Sequence, residues 1–287
     1  MTISTARSMS SPTRCASIDG HSRTASTPIS AVGRSDRCSA PTHDRRRVGR
    51  QPDVLIVGLV PAAGFGRRLA GAVQGSKEVQ PVRGQPVMSY LLERLRIGGA
   101  DRIVVTTRPE KVDVIALATR VGIAVVTGRP VTSRGSLLLA AADLADETIA
   151  LFGFPDSVWT PADGFRPLRR RVEDGESIAL GLFETDHPER SDVVVVDADD
   201  RLVGIDSKPA HPTSAWIWAA GAARVGALRA ILARAGPDEE IGTALARHAA
   251  SAPIATVRLG RVLDVGQPDT LRDAAMDPVF DAPAVTP

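Results

Sequence analysis

A loop of small residues at positions 61–69 is the first feature of this sequence that could do chemistry. It reads Pro-Ala-Ala-Gly-Phe-Gly-Arg-Arg-Leu and follows an apolar run, 54–60, that predicts a buried strand. Residues with little side chain let backbone N–H groups approach an anion closely, so such a loop can hold a phosphate. The residues that we expect to contact the ligand are Ala62, Ala63, Gly64 and Gly66, with Arg68 as an adjoining cation.

Two better-known phosphate-binding motifs do not fit this loop. A dinucleotide-binding fingerprint needs a glycine where Leu69 stands and an acidic residue about 20 positions later. A Walker loop needs Gly-Lys-Ser/Thr, whereas residues 75–77 read Gly-Ser-Lys. Taken alone, the loop is compatible with a phosphate site and with an ordinary tight turn.

One aspartate stands where a divalent cation could bind. Asp156 follows a strongly apolar strand predicted at 148–153, and open α/β sheets bind ligands at the carboxyl ends of their strands. A second carboxylate would have to come from a distant part of the chain, so a joint site is a prediction about the fold.

From position 53 onward, apolar runs alternate with helical periodicity. Predicted strands at 54–60, 102–107, 123–127 and 148–153 alternate with helices that include 110–120 and 135–144. Such alternation predicts a mostly parallel sheet with helices on both faces. A mixed pattern follows, with strands at 177–183, 192–197, 202–206 and 254–259, helices near 225–235 and 239–249, and a closing helix from 268. We predict an α/β fold in one domain, 53–276, with a C-terminal tail, 277–287.

Residues 1–52 differ from the rest of the chain in composition. They hold sixteen Ser or Thr, nine Arg and three Asp, and no Leu or aromatic residue. Such a segment buries too little apolar surface to offset the entropy of ordering, so we predict a disordered extension. An export signal with a twin arginine at 45–47 is disfavoured, because its cleavage would cut the 61–69 loop. A downstream translation start is the other open interpretation.

The composition also excludes several classes of function. Both cysteines, Cys15 and Cys38, lie in that extension, so the remainder can hold no disulfide, thiolate zinc site or cysteine nucleophile. The remainder is mildly acidic although the whole chain carries a net charge of +2, which argues against a nucleic-acid partner. The charge-free run 54–66 is shorter than the roughly 18 apolar residues of a membrane span. We therefore expect a cytoplasmic protein without a membrane partner.

The residues that continue the loop carry a resemblance to a known family. Gly-x-Gly-x-Arg-Leu at 64–69 is followed by Lys-x-x-x-Pro at 77–81. This pair resembles the signature of the nucleotidyltransferases that activate sugar 1-phosphates, of the glucose-1-phosphate thymidylyltransferase and uridylyltransferase type. In pieces, the resemblance extends from about Val57 to Arg272. It implies a Rossmann-like, GT-A-like domain that joins a sugar 1-phosphate to a nucleoside triphosphate and releases pyrophosphate.

The resemblance also implies roles for individual residues. Arg68 and Lys77 would contact the triphosphate and the charge that develops on it during transfer. Asp156 and Asp264 would hold Mg²⁺, the cofactor expected where triphosphate charge must be neutralised. Lys208, in Ser-Lys-Pro, would hold the phosphate of the sugar 1-phosphate.

Lysine usage supports two of these assignments. Only three lysines stand among the 35 basic residues, at 77, 111 and 208. A position that keeps lysine in so arginine-rich a chain is expected to need a compact point charge. Lys77 and Lys208 fall where the resemblance implies lysines, whereas Lys111 is predicted to be an ordinary surface residue at the start of a helix.

The acceptor and base positions depart from the family pattern. Ser207 stands where the family has a sugar-binding glutamate, and Ser-Asp at 191–192 replaces a Tyr-Gly pair. Pro130 lies near the position of a glutamine that reads a pyrimidine, although Gly135 matches the glycine that approaches the base. The sequence therefore leaves the sugar and the base open, and it says nothing of the oligomeric state.

Two alternative functions stay open at this point. The loop at 61–68 also resembles that of cytidylyltransferases of the methylerythritol-phosphate type, although their later Thr-Pro-Gln signature is absent. The departures at 130, 192 and 207 are compatible with a non-catalytic domain that binds a nucleotide or sugar nucleotide as a signal.

Overall fold

The computed structural model describes residues 54–69 and 71–280, so the predicted extension at 1–52 and the last seven residues lie outside the described part. The strands are β1 Ile56–Pro61, β2 Pro81–Val82, β3 Gln85–Pro86, β4 Arg102–Thr107, β5 Ala124–Thr127, β6 Ile149–Gly153, β7 Ser157–Trp159, β8 Ile178–Glu184, β9 Asp192–Val196, β10 Leu202–Ser207, β11 Trp216–Arg224 and β12 Ala255–Asp264. The helices are α1 Val87–Ile97, α2 Val112–Arg120, α3 Ser133–Ala141, α4 Phe165–Glu173, α5 Val225–Ala233, α6 Ile241–Ala249 and α7 Pro268–Asp273. Within these ranges, every helix is too short or too polar to cross a bilayer.

Parallel strands form the first half of the sheet. β1 lies between β4 and β6, and β5 borders β4, all in parallel register. Val57, Leu59 and Val60 of β1 are fully buried, because apolar clusters that include helix residues cover both faces of the sheet. The predicted α/β fold with a mostly parallel sheet is confirmed. The carboxyl ends of these strands meet at one edge, where open α/β sheets bind ligands.

The second half of the sheet is mixed. β11 runs antiparallel to both β6 and β8, and β12 runs parallel to β8. The predicted hairpin of β9 and β10 is confirmed, and it joins the sheet through the pairing of Ile217 with Val193. The hairpin therefore projects from the sheet beside β11.

A close approach of β6 explains the small residues of β11. The Phe152 ring lies against Gly221, where an added Cβ would stand 2.3 Å from the ring atom Cζ. Only glycine leaves room for the ring at this position. The small side chains of β11 thus let aromatic groups of neighbouring strands fill the core.

β12 is longer than the strand predicted at 254–259. It pairs with β8 as far as Arg261 and then, over 262–264, with β7 in antiparallel register. The pairing register of β12 with β8 shifts by one residue between Arg258 and Gly260. The alternation of side chains between the two faces of the sheet therefore changes at this point. The change of partner carries Asp264 to the edge of the sheet.

Helix α4 was not predicted, although its sequence holds a helical signal. Phe165, Leu168 and Val172 recur at helical spacing and are fully buried. The intervening arginines hide this pattern, because three of them follow one another at 169–171. The short strand β7 and the small β2–β3 hairpin were also not predicted.

The folded domain continues past residue 276, the boundary predicted for it. Val279 is buried, and the Phe280 ring packs against Tyr90 with 5.1 Å between ring centroids. The first residues of the predicted tail therefore belong to the core.

We expect Gly221→Ala to lower the free energy of unfolding by about 1–3 kcal/mol, because the new methyl group would overpack the Phe152 ring. Urea denaturation followed by tryptophan fluorescence measures this change. Gly204→Ala on β10 is the matched control, since no atom lies within 4 Å of the added Cβ. Equal losses in the two variants would show that the explanation for β11 is wrong.

Candidate functional site

A cleft of about 590 Å³ opens at the carboxyl edge of the parallel strands. Its walls come from the loop after β1, the turn between β6 and β7, the β9–β10 hairpin, the end of β12 and the first residues of α3 and α6. Seven of the predicted site residues line it: Gly64, Gly66, Arg68, Lys77, Asp156, Lys208 and Asp264. The fold thus gathers these positions, which are remote in sequence, around one space.

Lys77 lies between the glycine loop and Asp156. Its ammonium forms a close ion pair with the Asp156 carboxylate, and its stem packs beneath the loop, 3.9 Å from a Cβ added at Gly66. Burial lowers the pKa of Lys77, but the carboxylates of Asp156 and Glu78 outweigh it and raise this pKa above its usual value. Lys77 is therefore a fixed positive charge inside the cleft.

Strand pairing brings the two predicted metal ligands together. Asp264 pairs with Ser157 across β12 and β7, and the Val265 N–H donates to the Asp156 carbonyl at 2.9 Å. Both carboxylates turn towards Gly266, where an added Cβ would lie 2.8 Å from Asp264 Oδ1 and 3.0 Å from Asp156 Oδ2. The absence of a side chain at 266 leaves both carboxylates room.

The pKa values of the two carboxylates, Asp156 and Asp264, are shifted in opposite directions. Burial and the neighbouring Asp156 charge raise the pKa of Asp264 to about 6. Burial also acts on Asp156, but the Lys77 ammonium lowers the pKa of that carboxyl below its usual value. Lys77 stabilises the charge of Asp156, whereas burial and the Asp156 charge outweigh the Gly266 N–H and the nearby cations at Asp264.

This donor set fits a magnesium ion. Among residues 54–69 and 71–280 no cluster of three or more His, Cys, Asp or Glu forms a potential metal site. Mg²⁺ does not need one, because it is usually held by one or two carboxylates and completes its shell with phosphate oxygens and water. A cation between Asp156 and Asp264 would also relieve the repulsion that raises the pKa of Asp264.

Lys208 occupies an unusual backbone conformation at the end of β10. Its φ of 48° lies in the left-handed region, which non-glycine residues seldom adopt. The Lys208 N–H donates to the Ser191 carbonyl at 2.9 Å, which holds this conformation in place. Such strain is concentrated at binding sites, and here it accompanies a lysine on the cleft wall.

Lys111 is not the ordinary surface residue predicted from the sequence. Its ammonium donates to both carboxylate oxygens of Glu78, at 2.7 and 2.8 Å, and to the Ala62 carbonyl at 3.0 Å. Glu78 is fully buried. The ion pair therefore ties the end of β1 to the turn that carries Lys77, directly beneath the cleft.

A second contact holds the same turn to α2. The Asp113 carboxylate accepts from the Ser76 N–H at 2.7 Å and from the Ser76 hydroxyl at 2.8 Å. Together with the Glu78–Lys111 pair, it fixes the residues on both sides of Lys77. We call these two contacts, made by Ser76, Glu78, Lys111 and Asp113, the α2 clamp.

Three predicted ligand contacts do not lie on the cleft wall. The Ala62 N–H donates to the Thr106 carbonyl at 2.8 Å, so it is not available to a phosphate. Ala63 is buried, and the Gly135 N–H donates to the Thr132 hydroxyl, which caps α3, at 3.2 Å. These residues shape the loop and the helix start, and the exposed part of the cleft lies beside them.

The family of the chain follows from a comparison of its sequence with models of known families. The model of the MobA-like NTP transferase domain matches residues 58–251. The chain belongs to this family. The nucleotidyltransferase resemblance inferred from the loop and lysine motifs is therefore confirmed.

Several curated proteins are similar to this chain. It is 29% identical over 171 residues to a glucose-1-phosphate thymidylyltransferase of Streptomyces antibioticus, covering 54% of the chain and 46% of that protein. It is 25% identical over 156 residues to the bifunctional protein GlmU of Parvibaculum lavamentivorans, covering 53% and 34%. The aligned part thus spans less than half the length of these relatives.

A solved structure shows the same fold. A Bacillus anthracis protein described as a glucose-1-phosphate thymidylyltransferase, solved with sucrose, superposes with a TM-score of 0.68. The match covers 77% of this chain and 94% of that protein at 18% identity. At this identity it shows a shared fold and nothing about function.

Sequence reasoning missed the α2 clamp and an aromatic group at the mouth of the cleft. Phe65 is half exposed, with the guanidinium groups of Arg67 and Arg108 at 5.0 and 4.3 Å from its ring centroid. The scarcity of lysine is the signal that could have found Lys111, because the argument made for Lys77 and Lys208 holds for it as well. The contacts of Phe65 could not be predicted from residue spacing, because the fold brings Arg108 to its ring.

We expect Lys111→Met to lower the free energy of unfolding by about 3–5 kcal/mol, because it leaves the Glu78 carboxylate buried without a partner. Chemical denaturation measures the loss. The double variant Lys111→Met with Glu78→Leu serves as the matched control and should recover a large part of it. Wild-type stability in Lys111→Met alone would contradict the proposed clamp.

The raised pKa of Asp264 predicts a pH dependence of stability. Its pKa is about 6 in the folded chain against an ordinary value of 3.8, so the folded state binds this proton more tightly. The resulting stabilisation is complete below pH 3.8 and is lost as the pH rises through 6. Asp264→Asn should remove this dependence and stabilise the metal-free protein near pH 7 by about 1–3 kcal/mol.

Urea denaturation of both proteins between pH 4 and pH 8, in EDTA, measures this effect. Asp143→Asn, an exposed aspartate beyond the end of α3, is the control and should follow the wild type at every pH. A pH profile unchanged by Asp264→Asn would mean that the carboxyl is not destabilised in the folded chain.

Proposed function

We propose that this chain is a sugar-1-phosphate nucleotidyltransferase, which joins a sugar 1-phosphate to a nucleoside triphosphate and releases pyrophosphate. The observation that carries the proposal is the gathering of three cations and two carboxylates around the glycine loop: Arg68, Lys77, Lys208, Asp156 and Asp264. Such a set suits the meeting of two phosphate compounds, because each negative charge must be neutralised before the two can react.

The reaction needs no covalent enzyme intermediate. A phosphate oxygen of the sugar 1-phosphate attacks the α-phosphorus of the triphosphate in line with the leaving group. The new phosphorus–oxygen bond forms as the bond between the α-phosphorus and its bridging oxygen breaks, and pyrophosphate leaves with that electron pair. The attacking group is already an anion, so no general base is required and positioning dominates.

Each charged group has a role in this proposal. Gly64 and Gly66 let the loop backbone approach the triphosphate, and Arg68 and Lys77 stabilise the charge that develops on it. Lys208, on the opposite hairpin, holds the acceptor phosphate as a point charge. Asp156 and Asp264 are the residues that would hold Mg²⁺, whose charge lowers the repulsion between the two substrates.

The names of the relatives support this substrate class. Both a glucose-1-phosphate thymidylyltransferase of Neisseria meningitidis, 25% identical over 167 residues, and the Streptomyces enzyme carry sugar-phosphate activation in their names. The Neisseria match covers 55% of this chain and 58% of that protein. With nucleoside triphosphates as a substrate, we assign the reaction to the cytoplasm.

A second candidate rests on the loop itself. Residues 61–68 reproduce the opening loop of cytidylyltransferases of the methylerythritol-phosphate type, whose acceptor is a polyol phosphate rather than a sugar 1-phosphate. Incubating the full chain with each of the common triphosphates and a panel of both acceptor types, with products identified by mass, separates the two. A sugar nucleotide supports our proposal, whereas a cytidylylated polyol phosphate would establish the second candidate.

Asp156→Asn is expected to lower kcat for pyrophosphate release by about a hundredfold to a thousandfold at saturating Mg²⁺, the usual effect of losing one preorganised charge. A coupled phosphate assay measures it, with Asp143→Asn as the control of equal charge change outside the cleft. Full turnover by Asp156→Asn would remove this residue from the metal site and weaken the proposed mechanism.

A further inference from the structure

A carboxylate and a hydroxyl face each other across the hairpin at the wall of the cleft. Asp192 at the start of β9 pairs in register with Ser207 at the end of β10. The Ser207 hydroxyl donates to Asp192 Oδ1 at 2.8 Å, and both residues line the cleft. Asp192 thus places a carboxylate beside position 207, where the family resemblance implies a carboxylate and this chain has serine.

The Asp192 carboxylate lies close to α6 on its other side. Gly242 is the second residue of that helix, and an added Cβ there would clash with Asp192 Oδ2. A larger residue at 242 would therefore displace the carboxylate. The hydrogen bond from Ser207 and the glycine at 242 together allow the carboxylate its position at the cleft wall.

Among the described residues, the Asp192 carboxylate forms no ion pair. The one side-chain hydrogen bond that it accepts from them comes from the Ser207 hydroxyl. An ionised carboxylate offers about four acceptor positions, so most of its capacity is left for a ligand. A phosphate would be repelled by it. The group therefore suits the uncharged or cationic part of a ligand that presents hydrogen-bond donors.

The neighbouring residues indicate which ligand this is. Lys208 follows Ser207 directly, and its N–H donates a hydrogen bond to the carbonyl of Ser191, the residue before Asp192. The Lys208 cation and the Asp192 carboxylate therefore lie at the same end of the hairpin. Ile217 and Trp218 form an apolar surface of the same cleft. A compound that carries a phosphate and donor groups on a carbon skeleton matches this combination.

We propose that Asp192 accepts a hydrogen bond from a hydroxyl or amino group on the carbon skeleton of the acceptor phosphate and so determines acceptor specificity. Ser207 acts as a positioning residue that holds the carboxylate. This role rests on the nucleotidyltransferase function proposed above. It predicts that acceptors without a donor group, such as phosphocholine, are poor substrates.

The test is steady-state kinetics of the full chain with its preferred triphosphate and a panel of acceptors. The panel holds a hexose 1-phosphate, its monodeoxy analogues, an amino-sugar 1-phosphate and phosphocholine. Asp192→Asn should lower kcat/KM for the hydroxylated acceptor by about tenfold to a hundredfold, since a bond to a charged group is lost, while KM for the triphosphate is unchanged. Ser207→Ala should lower it by a smaller factor of about three to ten, again without an effect on the triphosphate.

The deoxy analogues identify the contact. The analogue that lacks the bound hydroxyl should react slowly with the wild type and lose nothing further in Asp192→Asn, because the interaction is already absent. A larger effect with the amino sugar than with the hexose identifies an amino donor instead. Asp206→Asn, which removes the same charge from the exposed neighbouring position of β10, is the matched control.

Three outcomes overturn the proposal. One is an unchanged kcat/KM in Asp192→Asn for every acceptor, with unchanged thermal unfolding to show that the variant is folded. Another is an equal loss with all deoxy analogues, which would mean that Asp192 has only a structural role. Absence of pyrophosphate release by the wild type with any pair of substrates overturns the proposed function itself, and the role of Asp192 falls with it.

Discussion

Repulsion between negative charges is the constraint around which this site is organised. Asp156 and Asp264 are held side by side by backbone pairing, with a glycine between them and one lysine to offset their charge. The arrangement costs stability, as the raised pKa of Asp264 indicates. Strongly perturbed carboxylates are typical of functional sites, and in the proposed function a cation with its phosphates would relieve this repulsion.

The rigid surroundings of Lys77 serve the same purpose. A lysine is a flexible chain that loses much rotamer freedom when it is fixed, so the role proposed for Lys77, stabilising a developing charge, needs support from its neighbours. The α2 clamp gives this support by holding the residues on either side of Lys77. The Lys111 ammonium binds the fully buried Glu78 carboxylate, and Asp113 binds Ser76. In this domain Lys111 holds the turn that carries Lys77 in place.

The fold could be predicted from the sequence because it depends on local signals, whereas the gathering of the charged residues was implied only by the family resemblance. The continuous apolar run of β1 indicates a strand that is buried on both faces of the sheet. The end of β6 places Asp156 at the carboxyl edge of the parallel strands. Contacts between distant residues could not be predicted. Lys111 and Glu78 are 33 positions apart, and their pairing depends on where α2 packs. The facing of Asp192 and Ser207 depends on the register shift between Leu202 and Gly204 of the hairpin, for which the sequence contains no signal.

The register shift in β12 has a consequence for how this chain can change during evolution. Side chains alternate between the two faces of a strand, so the extra residue at 259 sets which face Asp264 occupies five positions later. Insertion or deletion of one residue between 259 and 264 would turn the aspartate away from its partner. We therefore expect length changes to be tolerated in surface turns, such as that after β9, and to be harmful in this short stretch.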